Sequence, residues 1–126
     1  MLRAIKDHAL REPQVECCGM LAGRAGEITH IFPATNAASS PATTYEIAPK
    51  EIIQRMREMR GEGLELLGIY HSHPNGRAAP SPTDIESAGY PDAAYFIVAL
   101  KADGDSVARA FRIRNGQFAE LEIIVL

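Results

Sequence analysis

The chain carries only two cysteines, no excess of positive charge and no apolar run long enough to cross a bilayer. Each shortage excludes something. The cysteines are neighbours, Cys17 and Cys18, and neighbours in an extended strand point to opposite faces, so a bridge between them would be strained. A disulfide framework is thereby excluded, and a reducing compartment fits. The formal net charge of -3 leaves no basic surface of the kind nucleic acid selects, so nucleic acid is not expected as a partner. The longest apolar run, Ala93 to Leu100, is far below the roughly 20 residues of a spanning helix. The opening stretch from Met1 to Pro13 is amphipathic rather than signal-like, so a cytoplasmic protein without membrane contact is expected. Internal repeats and low-complexity tracts are also lacking. What is there, 126 residues of which 46% are hydrophobic and 23% charged, suits one globular domain spanning 1–126, with any active site built into its single core.

Leu2, Ile5 and Ala9 fall at helical spacing ahead of Pro13, which predicts a helix ending near Arg11. Two β-prone segments, Val15 to Ala22 and Glu27 to Phe32, flank a glycine-bearing turn and read as a hairpin. A loop rich in Pro, Ser, Thr and Ala follows, then a short strand at Tyr45-Glu46-Ile47. Pro49 opens a helix with Ile52, Ile53, Met56 and Met59 on one apolar face and Gly61 as its stop. The run Leu64 to Tyr70 predicts a buried central strand that leads directly into His71-Ser72-His73-Pro74. Ser81, Pro82 and Asp84 have the N-cap, N1 and N3 chemistry of a helix start. Ala93 to Leu100 reads as a second buried strand, and Asn115-Gly116 as the tight turn of a C-terminal hairpin. The order predicts an α/β or α+β layered fold, a mixed β-sheet flanked by helices.

His71 and His73 are separated by one residue, so in an extended segment both imidazoles project to the same side while Ser72 points away. Asp84, on the first turn of the next helix, can bring a carboxylate oxygen to the same place. Two nitrogens and one oxygen leave a fourth position for water, the layout of a catalytic rather than a structural zinc. Such chemistry also needs a proton carrier, and Glu16, flanked by Val15 and Cys17-Cys18-Gly19-Met20-Leu21 in what reads as a core strand, has no structural reason to be ionisable there. Ser81 can supply a hydroxyl to a carbonyl oxygen that gains charge.

Each part has a plainer reading. A lone His-x-His pair is by default two loop histidines, Ser-Pro-x-Asp is most often a helix cap, and a buried Glu16 can equally pair with an arginine. Cys17 and Cys18 read as small core residues rather than nucleophiles. His8 and His30 read as packing or surface residues. The joint occurrence of Glu16, His71, His73, Ser81 and Asp84 points to a metal enzyme. Other His-x-His enzymes do not match: Pro74, Asn75 and Gly76 stand where a metallo-β-lactamase continues with Asp and His, barrel amidohydrolases need roughly 250 residues, and zinc deaminases use His-x-Glu with Pro-Cys-x-x-Cys.

His71-Ser72-His73-Pro74, six residues, Ser81, two residues and Asp84, with Glu16 upstream, resembles the JAMM signature of the MPN-plus metalloproteases without gap or substitution. The stretch from Pro13 to Gly23 resembles the first strand of stand-alone prokaryotic members, and Asn36, Pro41, Tyr45 and Pro49 resemble the segment leading to their long helix. The resemblance implies a cytidine-deaminase-like layered fold, one zinc ion per chain on His71, His73 and Asp84, Glu16 as general base and Ser81 on the oxyanion. It also implies cleavage of a peptide or isopeptide bond after the C-terminal Gly-Gly tail of a ubiquitin-like or sulfur-carrier protein. Lack of long insertions favours a small prokaryotic β-grasp substrate. Two further readings stay open: a non-cleaving, zinc-stabilised binding module for the same tails, and, more weakly, a cysteine hydrolase. The oligomeric state stays open as well, a homodimer included.

Overall fold

The computed structural model describes residues 1–126. Helix α1 (Leu2–Arg11) is followed by the hairpin β1 (Cys18–Arg24) and β2 (Glu27–Ala34), helix α2 (Pro49–Gly61), and β3 (Glu65–His73). Helix α3 (Pro82–Ser87) and strands β4 (Ala94–Leu100), β5 (Ser106–Arg114) and β6 (Gln117–Leu121) complete the chain. The six strands form one sheet in the order β2-β1-β3-β4-β5-β6, antiparallel throughout except for the parallel pair β3-β4. A mixed sheet with helices packed on it is what the order of periodicities predicts. The parallel pair is the consequence of α3, which carries the chain back so that β4 starts on the same side as β3.

Alternation divides the core between two faces. Tyr70, Phe96, Val98, Ala110, Cys17 and Leu21 pack beneath α1 with its Ile5 and Ala9. On the opposite face Cys18, Met20 and Ala22 meet Met59 of α2, while Ile69, Tyr95, Ile97, Phe111 and Ile113 meet Ile85 and Ala88 at α3. Burying a side chain such as Leu21 or Ile97 contributes about 2 kcal/mol, so the faces specify strand register strongly. The two cysteines do lie in different clusters, one on each face. Both hairpin turns take positive φ at both central residues, Ala25 and Gly26 in the first, Asn115 and Gly116 in the second, the conformation that matches strand twist.

Several boundaries differ from the sequence expectation. β1 begins at Cys18 rather than Val15, so Glu16 is buried but lies outside the strand; its N–H donates to the carbonyl of Pro41 in the following loop rather than to a ladder partner. The strand expected at Tyr45–Ile47 is reduced to one bridge, Asn36 to Ile47. Here the Asn36 side chain replaces a ladder: its Oδ1 accepts from the N–H groups of Ala38 and Glu46, and its Nδ2 donates to the carbonyls of Glu16, Pro41 and Thr44. The last strand ends at Leu121, and Ile124, Val125 and Leu126 beyond it are exposed. No helix is long and apolar enough to cross a membrane.

Candidate metal centre

β1 runs antiparallel beside β3, with Cys18 opposite His71. The start of β1 therefore lies against the C-terminal end of β3, and residues far apart in sequence become neighbours there. The first turn of α3 reaches the same end of the sheet. Crevices at the carboxyl ends of parallel strands are where open sheets hold ligands, and here the antiparallel neighbour adds a carboxylate to that crevice.

His71 and His73 project from the face that carries Ile69, as the alternation predicts, and both are buried. Asp84 is at N3 of α3. A capping box fixes it: the Asp84 N–H donates to Ser81 Oγ at 3.0 Å and the Ser81 N–H donates to Asp84 Oδ2 at 2.9 Å. The plainer reading of Ser81 and Asp84 as a helix cap is thus correct and incomplete, because the capped carboxylate is the one that faces the histidines. His71 Nε2 and His73 Nε2 stand 3.0 Å apart, and each is 3.1 Å from Asp84 Oδ2. Glu16, only 5% exposed, completes a group of four whose ligand atoms all lie within 4.8 Å of one another.

The donor set fits a cation. His73 Nδ1 donates to the Arg77 carbonyl at 2.7 Å, which leaves its Nε2 lone pair directed at the other two ligand atoms, the arrangement seen for metal-bound imidazoles. With the His71 proton on Nδ1, three lone pairs converge on one point, an arrangement that a positive charge between them stabilises. Their separations approach the edge of about 3.3 Å expected for a tetrahedron with bonds of about 2.0–2.1 Å. Burial lowers the pKa of His71, keeping that ring neutral despite its contact with Asp84. Burial alone would lower His73 as well, but its hydrogen bonds with Asp84 and the Arg77 carbonyl, together with the charges of Asp84 and Glu16, outweigh it and the net direction is up. Burial alone would raise Asp84, yet the bonds shared with His71 and His73 hold it far below the usual carboxylate range. A proton on His73 is the natural competitor of a metal ion at this point.

Glu16 differs from the other three. Its Oε1 is buried with no hydrogen-bond partner, and no arginine reaches it, against the alternative of a structural ion pair. Burial pushes its carboxyl up to about 7, with His73 drawing it down and Asp84 adding to the rise. A carboxyl poised near neutrality and aimed at a cluster of ligand atoms is able to take and return a proton.

Tyr45 was not singled out by residue chemistry, yet its ring stacks on His71 with centroids 4.3 Å apart and planes 20° from parallel. It orients a ring whose own Nδ1 has no partner. A cleft of about 440 Å³ adjoins the site, bordered by Tyr45, Ile69, Thr83, Tyr90 and Tyr95. His8 is a buried packing residue on the α1 face, bonded to the Tyr70 hydroxyl at 2.6 Å and to Glu12 at 2.8 Å. Burial pushes the thiols of Cys17 and Cys18 up to about 11 and about 12, so both stay protonated at neutral pH, unlike a nucleophile.

A family described as prokaryotic homologs of the JAB domain matches residues 1–114. The chain belongs to the prokaryotic JAB family. It is 38% identical over its whole length to the probable TtuB-protein conjugate cleaving protease of Thermus thermophilus, covering 79% of that protein. It is 33% identical over 99% of its length to the desampylase of Haloferax volcanii, and 36% identical over its whole length to the CysO-cysteine peptidase of Mycobacterium tuberculosis, covering 88% and 87% of them. Among solved structures, a protein of Desulfitobacterium hafniense aligns with a TM-score of 0.86 at 31% identity, over 98% of this chain and 86% of that one. A JAB1/MPN domain protein of Archaeoglobus fulgidus, at 20% identity and a TM-score of 0.58 over 98% of this chain and 90% of that one, shares the fold.

Proposed function

We propose that this protein is a zinc metallopeptidase that hydrolyses the peptide or isopeptide bond following the Gly-Gly tail of a small ubiquitin-like or sulfur-carrier protein. The observation that carries the reading is the unpartnered, buried carboxylate of Glu16 beside the convergent ligand atoms of His71, His73 and Asp84. A binding module has no use for a carboxyl held near neutrality in that position, whereas a hydrolase needs one.

His71, His73 and Asp84 would hold the ion, the first two from a strand buried in the sheet and the third from a capped helix start. When bound, zinc supplies Lewis acidity to a substrate carbonyl and to a water. Glu16 accepts a proton from the attacking water and later delivers it to the leaving amine. Ser81 Oγ accepts from the Asp84 N–H, which leaves its own proton free to be donated to the carbonyl oxygen as charge develops there. Relatives named for cleaving TtuB conjugates and CysO-cysteine support a protein tail as substrate. A tail of two glycines suits a narrow approach, since only residues without side chains let the backbone come that close. The free, buried cysteines accord with a cytoplasmic setting, where thiols stay reduced.

The test is cleavage of a fusion in which a sulfur-carrier protein ending in Gly-Gly is linked to a reporter, followed by mass spectrometry. Expected is cutting after the second glycine, abolished by chelator and restored by zinc. Glu16→Gln is expected to keep zinc while losing about 10²–10⁴-fold in kcat. Tail binding by the wild type without any cleavage would show the binding module instead.

A further inference from the structure

Glu16 lies outside any strand, and its Oε1 has no partner. Its position is therefore set through its backbone. Ser72 supplies one set of bonds. It lies between His71 and His73 but points to the opposite face of β3 and is completely buried. Its Oγ accepts from the Cys17 N–H at 2.9 Å and donates to the Val15 carbonyl at 3.3 Å, so one hydroxyl spans the residues on either side of Glu16. The Ser72 N–H also donates to the Cys17 carbonyl at 3.0 Å. Asn36 supplies the other set: its Nδ2 donates to the Glu16 carbonyl at 2.9 Å and to the Pro41 carbonyl at 3.2 Å, the same carbonyl that accepts the Glu16 N–H at 2.7 Å.

We propose that Ser72 and Asn36 are positioning residues for Glu16, Ser72 coupling the proton carrier to the strand that bears both histidines and Asn36 closing the opposite side. The proposal rests on the reading of Glu16 given above. Ser72 does not touch the reacting atoms, because both roles of its hydroxyl are taken up on the α1 face. A buried serine that merely satisfied its own polarity would bond anywhere convenient. This one bonds to both neighbours of the one buried carboxylate that has no anchor of its own. Because a misplacement of about 1 Å can cost about 100-fold in rate, slack in this clamp is expected to be read in catalysis.

The experiment compares wild type, Ser72→Ala, Asn36→Ala, Glu16→Gln and the double variant of Ser72→Ala with Glu16→Gln on the Gly-Gly fusion, with zinc content and thermal unfolding measured on each. Expected for Ser72→Ala is a fall in kcat of about 100-fold, with KM and zinc content unchanged, and no further fall when Glu16 is already Gln. An equal loss in both backgrounds, or an undiminished kcat in a folded Ser72→Ala protein, would overturn the proposal. Ser72→Cys, which keeps the size and weakens the hydrogen bonds, replaces the alanine variant if that one does not fold. If the wild type itself cleaves nothing, the proposed function fails but the positioning role is still decided. Crystal structures of zinc-loaded wild type and Ser72→Ala then report whether the Glu16 carboxylate leaves the four-residue cluster, and an unmoved carboxylate overturns the clamp.

Discussion

Glu16 should destabilise the very fold that positions it. In the metal-free protein, burial raises its carboxyl from 4.5 to about 7. Each pKa unit corresponds to about 1.4 kcal/mol, so above neutrality the folded state bears a cost of about 3 kcal/mol relative to an unfolded chain in which the same carboxylate is hydrated. The sign follows from linkage. Below about pH 4.5 the group is protonated in both states and costs nothing; between 4.5 and about 7 the unfolded state alone loses its proton and gains stability; above 7 the difference is constant. Replacing Glu16 by Gln removes the titration while keeping size and shape. Chelator-treated Glu16→Gln is therefore expected to be more stable than wild type by about 3 kcal/mol, or about 10 °C in Tm, at alkaline pH. The gain should vanish under acid conditions. Urea unfolding of both proteins from about pH 4 to pH 8 reads the difference directly. A variant no more stable than wild type at the alkaline end, or a gain independent of pH, would falsify the claim that burial strains this carboxyl.

Other consequences are open to similar tests. Asp84→Asn keeps an oxygen for the cap but removes the ligand charge; zinc stoichiometry measured by atomic emission should fall, while helix stability changes by no more than about 1 kcal/mol. Cys17→Ala and Cys18→Ala should both retain full turnover, since thiols pushed up to about 11 and about 12 are not nucleophiles at neutral pH; loss of activity in either folded variant, with its zinc retained, would revive the cysteine hydrolase. Gly19→Ala would drive a Cβ into the Tyr70 ring. Overpacking of this kind costs about 1–3 kcal/mol, and because Tyr70 precedes His71, chemical denaturation and zinc affinity should worsen together.

Much of this site was legible before any folding was considered. Period-two alternation is enough to put His71 and His73 on one face and Ser72 on the other, because successive side chains of a strand must diverge. Cap chemistry marks the start of α3 at Ser81, and with it the place of Asp84, because an N-terminal turn leaves N–H groups that Ser and Asp satisfy. The Asn115-Gly116 turn and the apolar stripe of α2 are local in the same sense. Local rules failed where side chains took over backbone bonding. The strand expected at Tyr45–Ile47 gave way to the carboxamide of Asn36, and β1 lost its first residues to Pro41 and Ser72, since a distant hydrogen-bond partner leaves no periodic trace.

Ligand types, their spacing and the solitary carboxyl among apolar residues are properties of the chain itself, which therefore determined the class of chemistry this protein can host. Only the tertiary structure decided that the carboxyl and the ligands share one crevice. That required β1 to pair antiparallel with β3 so that Cys18 meets His71, and strand pairing between segments so far apart is chosen by burial across the whole sheet rather than by any residue in either segment. The same pairing withdrew Glu16 from water, and withdrawal from water is what moves an ordinary glutamate toward neutral pKa.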